Sequence, residues 1–73
     1  MDIDRLAYMA NQIARNFGTL PDDKAAQETA RHIIAFWDPR MIGQTLESGL
    51  PLLSPVARAA MEQVAAARSS RAA

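Results

Sequence analysis

The stretch Phe36-Trp37-Asp38-Pro39-Arg40-Met41 closes one helix and opens another. A residue that precedes proline is pushed out of the helical region, so Asp38 must be extended, which is the backbone state of an N-cap. Pro39 then fits the first helical position, where its missing amide costs nothing. Asp38 and Pro39 therefore act as structural caps of a short helix from Pro39 to about Glu47. Met41, Ile42 and Leu46 turn inward, and Ser48-Gly49 ends the helix with a left-handed glycine cap. Phe36 and Trp37 are consecutive, so on a helix they point about 100° apart and cannot share one site equally.

The chain before this corner reads as two helices. One runs from about Asp4 to Phe17, with Asp2 or Asp4 as cap, a stripe of Ile3, Leu6, Ala10, Ile13 and Phe17, and Gly18 as a left-handed stop. Tyr8 and Met9 extend the apolar surface to its flanks, while Arg5, Asn11, Gln12, Arg15 and Asn16 face water or a partner. The next runs from about Pro21 to Trp37. Thr19 or Asp22 is its cap, Ala26, Ala30, Ile33 and Trp37 form its buried face with Ile34 beside them, and Glu28 is spaced to approach His32.

After the corner, Leu50 to Leu53 reads as an extended apolar connector. Ser54 and Pro55 repeat the cap-plus-proline device and open a last helix whose apolar stripe is Val56, Ala60, Met61 and Val64, with Leu52 or Leu53 as a staple. Alanine makes up about a fifth of the residues and no stretch alternates long enough for a strand. The expected fold is all-α, a small four-helix bundle of orthogonal or irregular arrangement with short loops. It forms a single helical domain over residues 1–68, followed by a flexible tail over 69–73.

Composition removes whole classes of function. The chain has 73 residues, 8 basic and 8 acidic side chains, one histidine and no cysteine. Zero net charge argues against nucleic-acid binding, and the missing cysteines exclude thiolate ligands and thiol catalysis. The acidic start is unlike a targeting segment, and no window has the apolar length of a membrane span, so a cytoplasmic location is expected. His32 stands without a nucleophile beside it, and the acid pairs Asp2/Asp4 and Asp22/Asp23 sit where capping and the helix dipole explain them. No glycine-rich phosphate loop exists, and the methionines are too dispersed for a soft-metal site. Arg40 and Gln44 alone are a poor base-reading set for a helix-turn-helix. No catalytic, cofactor-binding or metal-ligating residue is therefore assigned.

What remains is surplus apolar surface. Tyr8, Met9, Ile34, Phe36, Leu50, Leu52 and Leu53 cannot all fit inside so small a core, and exposed apolar patches usually meet a partner. Trp and Arg are the types that most often dominate interface energies. The aromatic corner then has two readings: Trp37 plugs the core and Arg40 is solvated, or one aromatic is core and the other, with Arg40, anchors an interface. The candidate partner-interface residues are Tyr8, Met9, Arg15, Phe36, Trp37 and Arg40, of which some fall to the core.

The blocks Asp4-Arg5-Leu6-Ala7-Tyr8-Met9-Ala10-Asn11-Gln12-Ile13-Ala14-Arg15-Asn16-Phe17, Ala30-Arg31-His32-Ile33 and Phe36-Trp37-Asp38-Pro39-Arg40-Met41 occur in this order. Together they resemble the delta subunit of NAD-dependent, molybdenum-containing formate dehydrogenase. Leu53-Ser54-Pro55-Val56-Ala57-Arg58-Ala59-Ala60 resembles that family's closing helix. The resemblance implies a non-catalytic accessory subunit of a cytoplasmic complex that oxidises formate to carbon dioxide with reduction of NAD. It implies that the partner subunits carry the bis-molybdopterin guanine dinucleotide, the iron–sulfur clusters and FMN, and that this chain carries no cofactor. The implied partner is the catalytic alpha subunit, which the chain would stabilise while aiding cofactor insertion or retention. A transient maturation chaperone and a self-associating helical module are the alternatives.

Overall fold

The computed structural model describes residues 2–72, with extents of 32 × 27 × 20 Å. All its regular elements are helical: α1 (Ile3–Asn16), α2 (Asp22–Phe36), α3 (Pro39–Gln44), a π turn (Thr45–Gly49), a 3-10 turn (Leu50–Leu52) and α4 (Pro55–Ala72). The all-α, four-helix expectation is met. The segment 69–73, expected to be a tail, is helical through Ala72, and residue 73 lies outside the described residues. No helix among the described residues is long and apolar enough to cross a membrane.

Three of the helix starts expected at an acid or serine form as the sequence dictates. Asp38 is extended (φ −80°, ψ 163°), and its Oδ1 accepts from the Met41 amide at 2.9 Å, with Pro39 first in α3. Ser54 Oγ accepts from the Ala57 amide at 3.3 Å, with Pro55 first in α4. Of the two acids that could cap α1, Asp2 does so, accepting from the Arg5 amide at 2.8 Å. The start of α2 departs from expectation. Neither Thr19 nor Asp22 caps it, because Pro21 occupies the cap position and its ring carries no hydrogen-bond acceptor. Asp22 and Asp23 then lie inside the first turn, where they act through the helix dipole alone.

The helix stops also differ. No described glycine has a positive φ. After α1 the chain tightens instead: Phe17 N donates to Ala14 O at 3.2 Å, and Gly18 N to Arg15 O at 3.0 Å. A Cβ at Gly18 would sit 3.0 Å from the Arg15 carbonyl oxygen, so glycine eases a close approach there and does not serve a left-handed turn. Likewise α3 does not stop at Ser48-Gly49. Its hydrogen-bond ladder widens into the π turn and then tightens into the 3-10 turn, so Leu50–Leu52 is coiled where an extended connector was expected. Only Leu53 is extended, and its amide bonds back to Leu50 O at 3.2 Å. Leu53 is the buried staple at the start of α4, whereas Leu52 is exposed.

The core is built on small residues. The most extensive packing joins α2 to α4, where Ala30 and Ile33 meet a helix carrying Ala57, Ala60, Met61 and Val64. Alanine on both sides lets the helices approach closely. On α1 the buried face is Leu6, Ala7, Ala10 and Ala14, rotated from the expected stripe, so that Ile13 and Phe17 are only half-buried.

One polar group is misplaced in this core. Thr29 is fully buried in α2, and its hydroxyl has no hydrogen-bond partner among the described residues. Valine keeps the shape and removes the unsatisfied hydroxyl. Thr29→Val should therefore raise stability by about 0.5–1.5 kcal/mol, seen as a higher urea midpoint at unchanged slope.

Asn11 was expected to face water or a partner. It is instead half-buried and spans two elements: its Nδ2 donates to Leu52 O at 3.1 Å, and its Oδ1 accepts from Ser54 N at 2.8 Å. Arg58 Nη2 adds a bond to Leu50 O at 3.1 Å. The turn before α4 is thus tied to the middle of α1 on one side and to α4 on the other.

Candidate functional site

The C-terminal half of α2 and the middle of α1 form the walls of an open groove of about 500 Å³. From α1 come Tyr8, Met9, Gln12 and Ile13, which recur at three- and four-residue spacing and so share one face. His32 and Phe36 come from α2 by the same spacing, and Trp37 and Met41 close the end of the groove at the corner. The His32 and Phe36 rings lie 4.7 Å apart at 41°, an aromatic pair on the rim. Glu28 does not engage His32; its carboxylate meets Arg31 at 3.5 Å on an exposed surface.

The corner separates the two aromatics as their 100° offset requires. Trp37 leaves the helix as its extended C-cap (φ −90°, ψ 142°) and turns into the core, 7% exposed, while Phe36 remains 75% exposed. Trp37 also borders a second concavity of about 250 Å³, lined with Ile34, Pro39, Ile42 and Val64. Its indole is therefore a wall between two hollows, and replacing it would open both.

Of the six candidate interface residues, Tyr8, Met9, Phe36 and Trp37 line the groove together. Tyr8 is 63% exposed and Met9 half-buried. Arg15 and Arg40 are exposed and lie outside the lining. Reading the residues singly missed Gln12, Ile13, His32 and Met41 as lining. The signal was present in the pairs Tyr8/Gln12 and His32/Phe36, each four apart and therefore on one helical face.

Among the described residues, no cluster of three or more His, Asp or Glu side chains forms a metal-binding group. What the groove offers is apolar area with a few hydrogen-bonding groups on its edge, the anatomy of a protein contact.

Comparison with known proteins bears on which contact this is. No match was found among curated proteins or among solved structures. The family model for the NADH-dependent formate dehydrogenase delta subunit, FdsD, matches residues 5–61. That span holds all but the first two residues of α1, then α2, α3, both turns and the first part of α4, and so the whole groove. The chain belongs to the FdsD family of formate dehydrogenase delta subunits.

Proposed function

We propose that the chain is a non-catalytic accessory subunit of a cytoplasmic, NAD-dependent, molybdenum-containing formate dehydrogenase. It docks its aromatic groove on the catalytic alpha subunit, stabilises that subunit and aids insertion or retention of its cofactor. Family membership supports a place among the subunits of such an enzyme. The observation that carries the docking role is the solvent exposure of Phe36 and Tyr8 over an apolar groove, in a chain too small to waste such area. In this reading the bis-molybdopterin guanine dinucleotide, iron–sulfur clusters and FMN belong to the other subunits, and formate oxidation takes place there.

The test is purification of the dehydrogenase from cells with and without this chain, with molybdenum content and formate-dependent NAD reduction measured per alpha subunit. A fall in both without the chain supports cofactor insertion or retention. Full molybdenum with a complex that dissociates on standing supports a clamp alone. A full and lasting complex without the chain would overturn the proposal. Within the complex, Phe36→Ala should weaken association by about 30-fold or more, the loss typical of a central aromatic anchor. Arg40→Ala should weaken it less, and both variants should retain wild-type helicity because both side chains are exposed. Unchanged co-purification of Phe36→Ala would remove the groove from the interface.

A further inference from the structure

Resting on the docking role proposed above, we infer that Met9 and Met41 form a modification site, where a hydroperoxide converts their thioethers to sulfoxides and so closes the groove to its partner. The first argument is placement. Met9 comes from α1 and Met41 from α3, and the fold brings both into the lining of one groove. Both are half-buried, whereas Met61 is fully buried in α4; Met1 lies outside the described residues. A hydroperoxide reaches the groove pair from solvent and reaches Met61 only when the fold opens. The chain has no cysteine to compete for the oxidant. In the step itself a sulfur lone pair attacks the terminal oxygen of the hydroperoxide and the O–O bond breaks. The proton passes to the departing oxygen, which leaves as water or an alcohol. Sulfur loses two electrons and the peroxide gains them.

The second argument is consequence. A thioether is apolar and flexible and adapts to the surface laid against it. A sulfoxide is polar and chiral. In the open groove water hydrates its oxygen, and a seated partner strips that water away at a cost. The fold itself tolerates the change. Met9 and Met41 pack against the margin of the core and not within it. The backbone of Met41 is held by bonds that its side chain does not make: its amide donates to Asp38 Oδ1 at 2.9 Å, and its carbonyl accepts from Thr45 Oγ1 at 2.9 Å. Oxidation therefore alters the docking face and leaves the helices in place. Docking in turn covers both sulfurs, so the modification acts on the free chain, before assembly.

The experiment treats the free chain with hydrogen peroxide, removes the oxidant, and titrates the chain into the purified remaining subunits of the dehydrogenase, prepared without it. Peptide mass spectrometry should find Met9 and Met41 oxidised at least about 10-fold faster than Met61. The oxidised chain should bind about 10-fold or more weakly than the untreated chain, with its helicity by circular dichroism retained. Methionine sulfoxide reductase should restore the affinity. Met9→Leu/Met41→Leu keeps the apolar volume and removes both sulfurs, so peroxide should leave its affinity at its own untreated value. In the assembled complex both methionines should be protected. Met61 oxidising as fast as the groove pair, or peroxide weakening the double leucine variant as much as wild type, would overturn the inference. Unchanged affinity of a chain carrying both sulfoxides, with Phe36→Ala still weakened, would overturn it while leaving the docking role intact. Wild-type affinity in Phe36→Ala would overturn both.

Discussion

Trp37→Ala should unfold the isolated chain or bring it to the edge of unfolding. The indole is 7% exposed, belongs to the central cluster with Leu6, Ile33, Ile42, Met61 and Val64, and walls off two concavities. Removing a buried tryptophan side chain costs about 3–5 kcal/mol, because the surrounding atoms close the void only in part. A domain of this length holds roughly 4–11 kcal/mol in total. The loss is therefore comparable with everything the fold has. Far-UV circular dichroism with a urea titration reads it directly: a lost or much lowered midpoint is expected. Phe36→Ala, one residue earlier, should move the midpoint little, since 75% of that residue already meets water. The pair separates stability from docking at a single corner. A native midpoint in Trp37→Ala would show that the indole does not hold the core.

Asn11→Ala should cost about 1–2 kcal/mol, more than an exposed polar residue usually does. Its amide satisfies two backbone groups 41 and 43 residues away, the Leu52 carbonyl and the Ser54 amide. Truncation leaves both without their partner. Asn11→Asp separates the two bonds. A carboxylate still accepts from Ser54 N–H but cannot donate to Leu52, so its midpoint should fall between those of wild type and alanine. Hydrogen exchange gives an independent readout: the Ser54 amide should exchange faster in Asn11→Ala. Unchanged protection there would mean that the turn is held by Arg58 and the Leu53 staple alone.

The fold was legible in the sequence wherever a local rule decided it. Asp38-Pro39 and Ser54-Pro55 each combine a side chain that accepts from backbone amides with a ring that fixes the next φ, and neither needs help from the rest of the chain. The buried face of α2 was legible for a related reason: Ala26, Ala30, Ile33 and Trp37 repeat at helical spacing between charged residues. What could not be read depended on elements distant in sequence. Asn11 looks like any polar residue on a helix until the turn at residues 52–54 is brought beside it. Gly18 and Gly49 look like left-handed stops, but neither has a positive φ, and both sit in tight surroundings instead. A Cβ on Gly49 would come within 2.9 Å of Ile3 Cδ1, an atom 46 positions away in the chain. The candidate interface divided in the same way. The exposure of Phe36 beside buried Trp37 follows from their angular offset, but which of the two turned inward was set by the packing of α4 and α3. Their gathering with Tyr8 and Met9 in one groove needed the approach of α1 to α2.

The π turn at Thr45–Gly49 has a consequence for how sequences of this family can change in length. Connections between helices ordinarily absorb insertions and deletions, because they run over the surface with few fixed bonds. This one does not have that latitude. Its hydrogen bonds span five residues instead of four, so removing a single residue, even exposed Ser48, would convert it to an ordinary α turn. Every position beyond it would then rotate by about 100° about the local axis. Gly49 would swing away from Ile3, and Leu52 and Ser54 would miss Asn11. In alignments of relatives, gaps should be scarce between Pro39 and Ser54 and should gather instead around Phe17 to Pro21, where the described contacts are local.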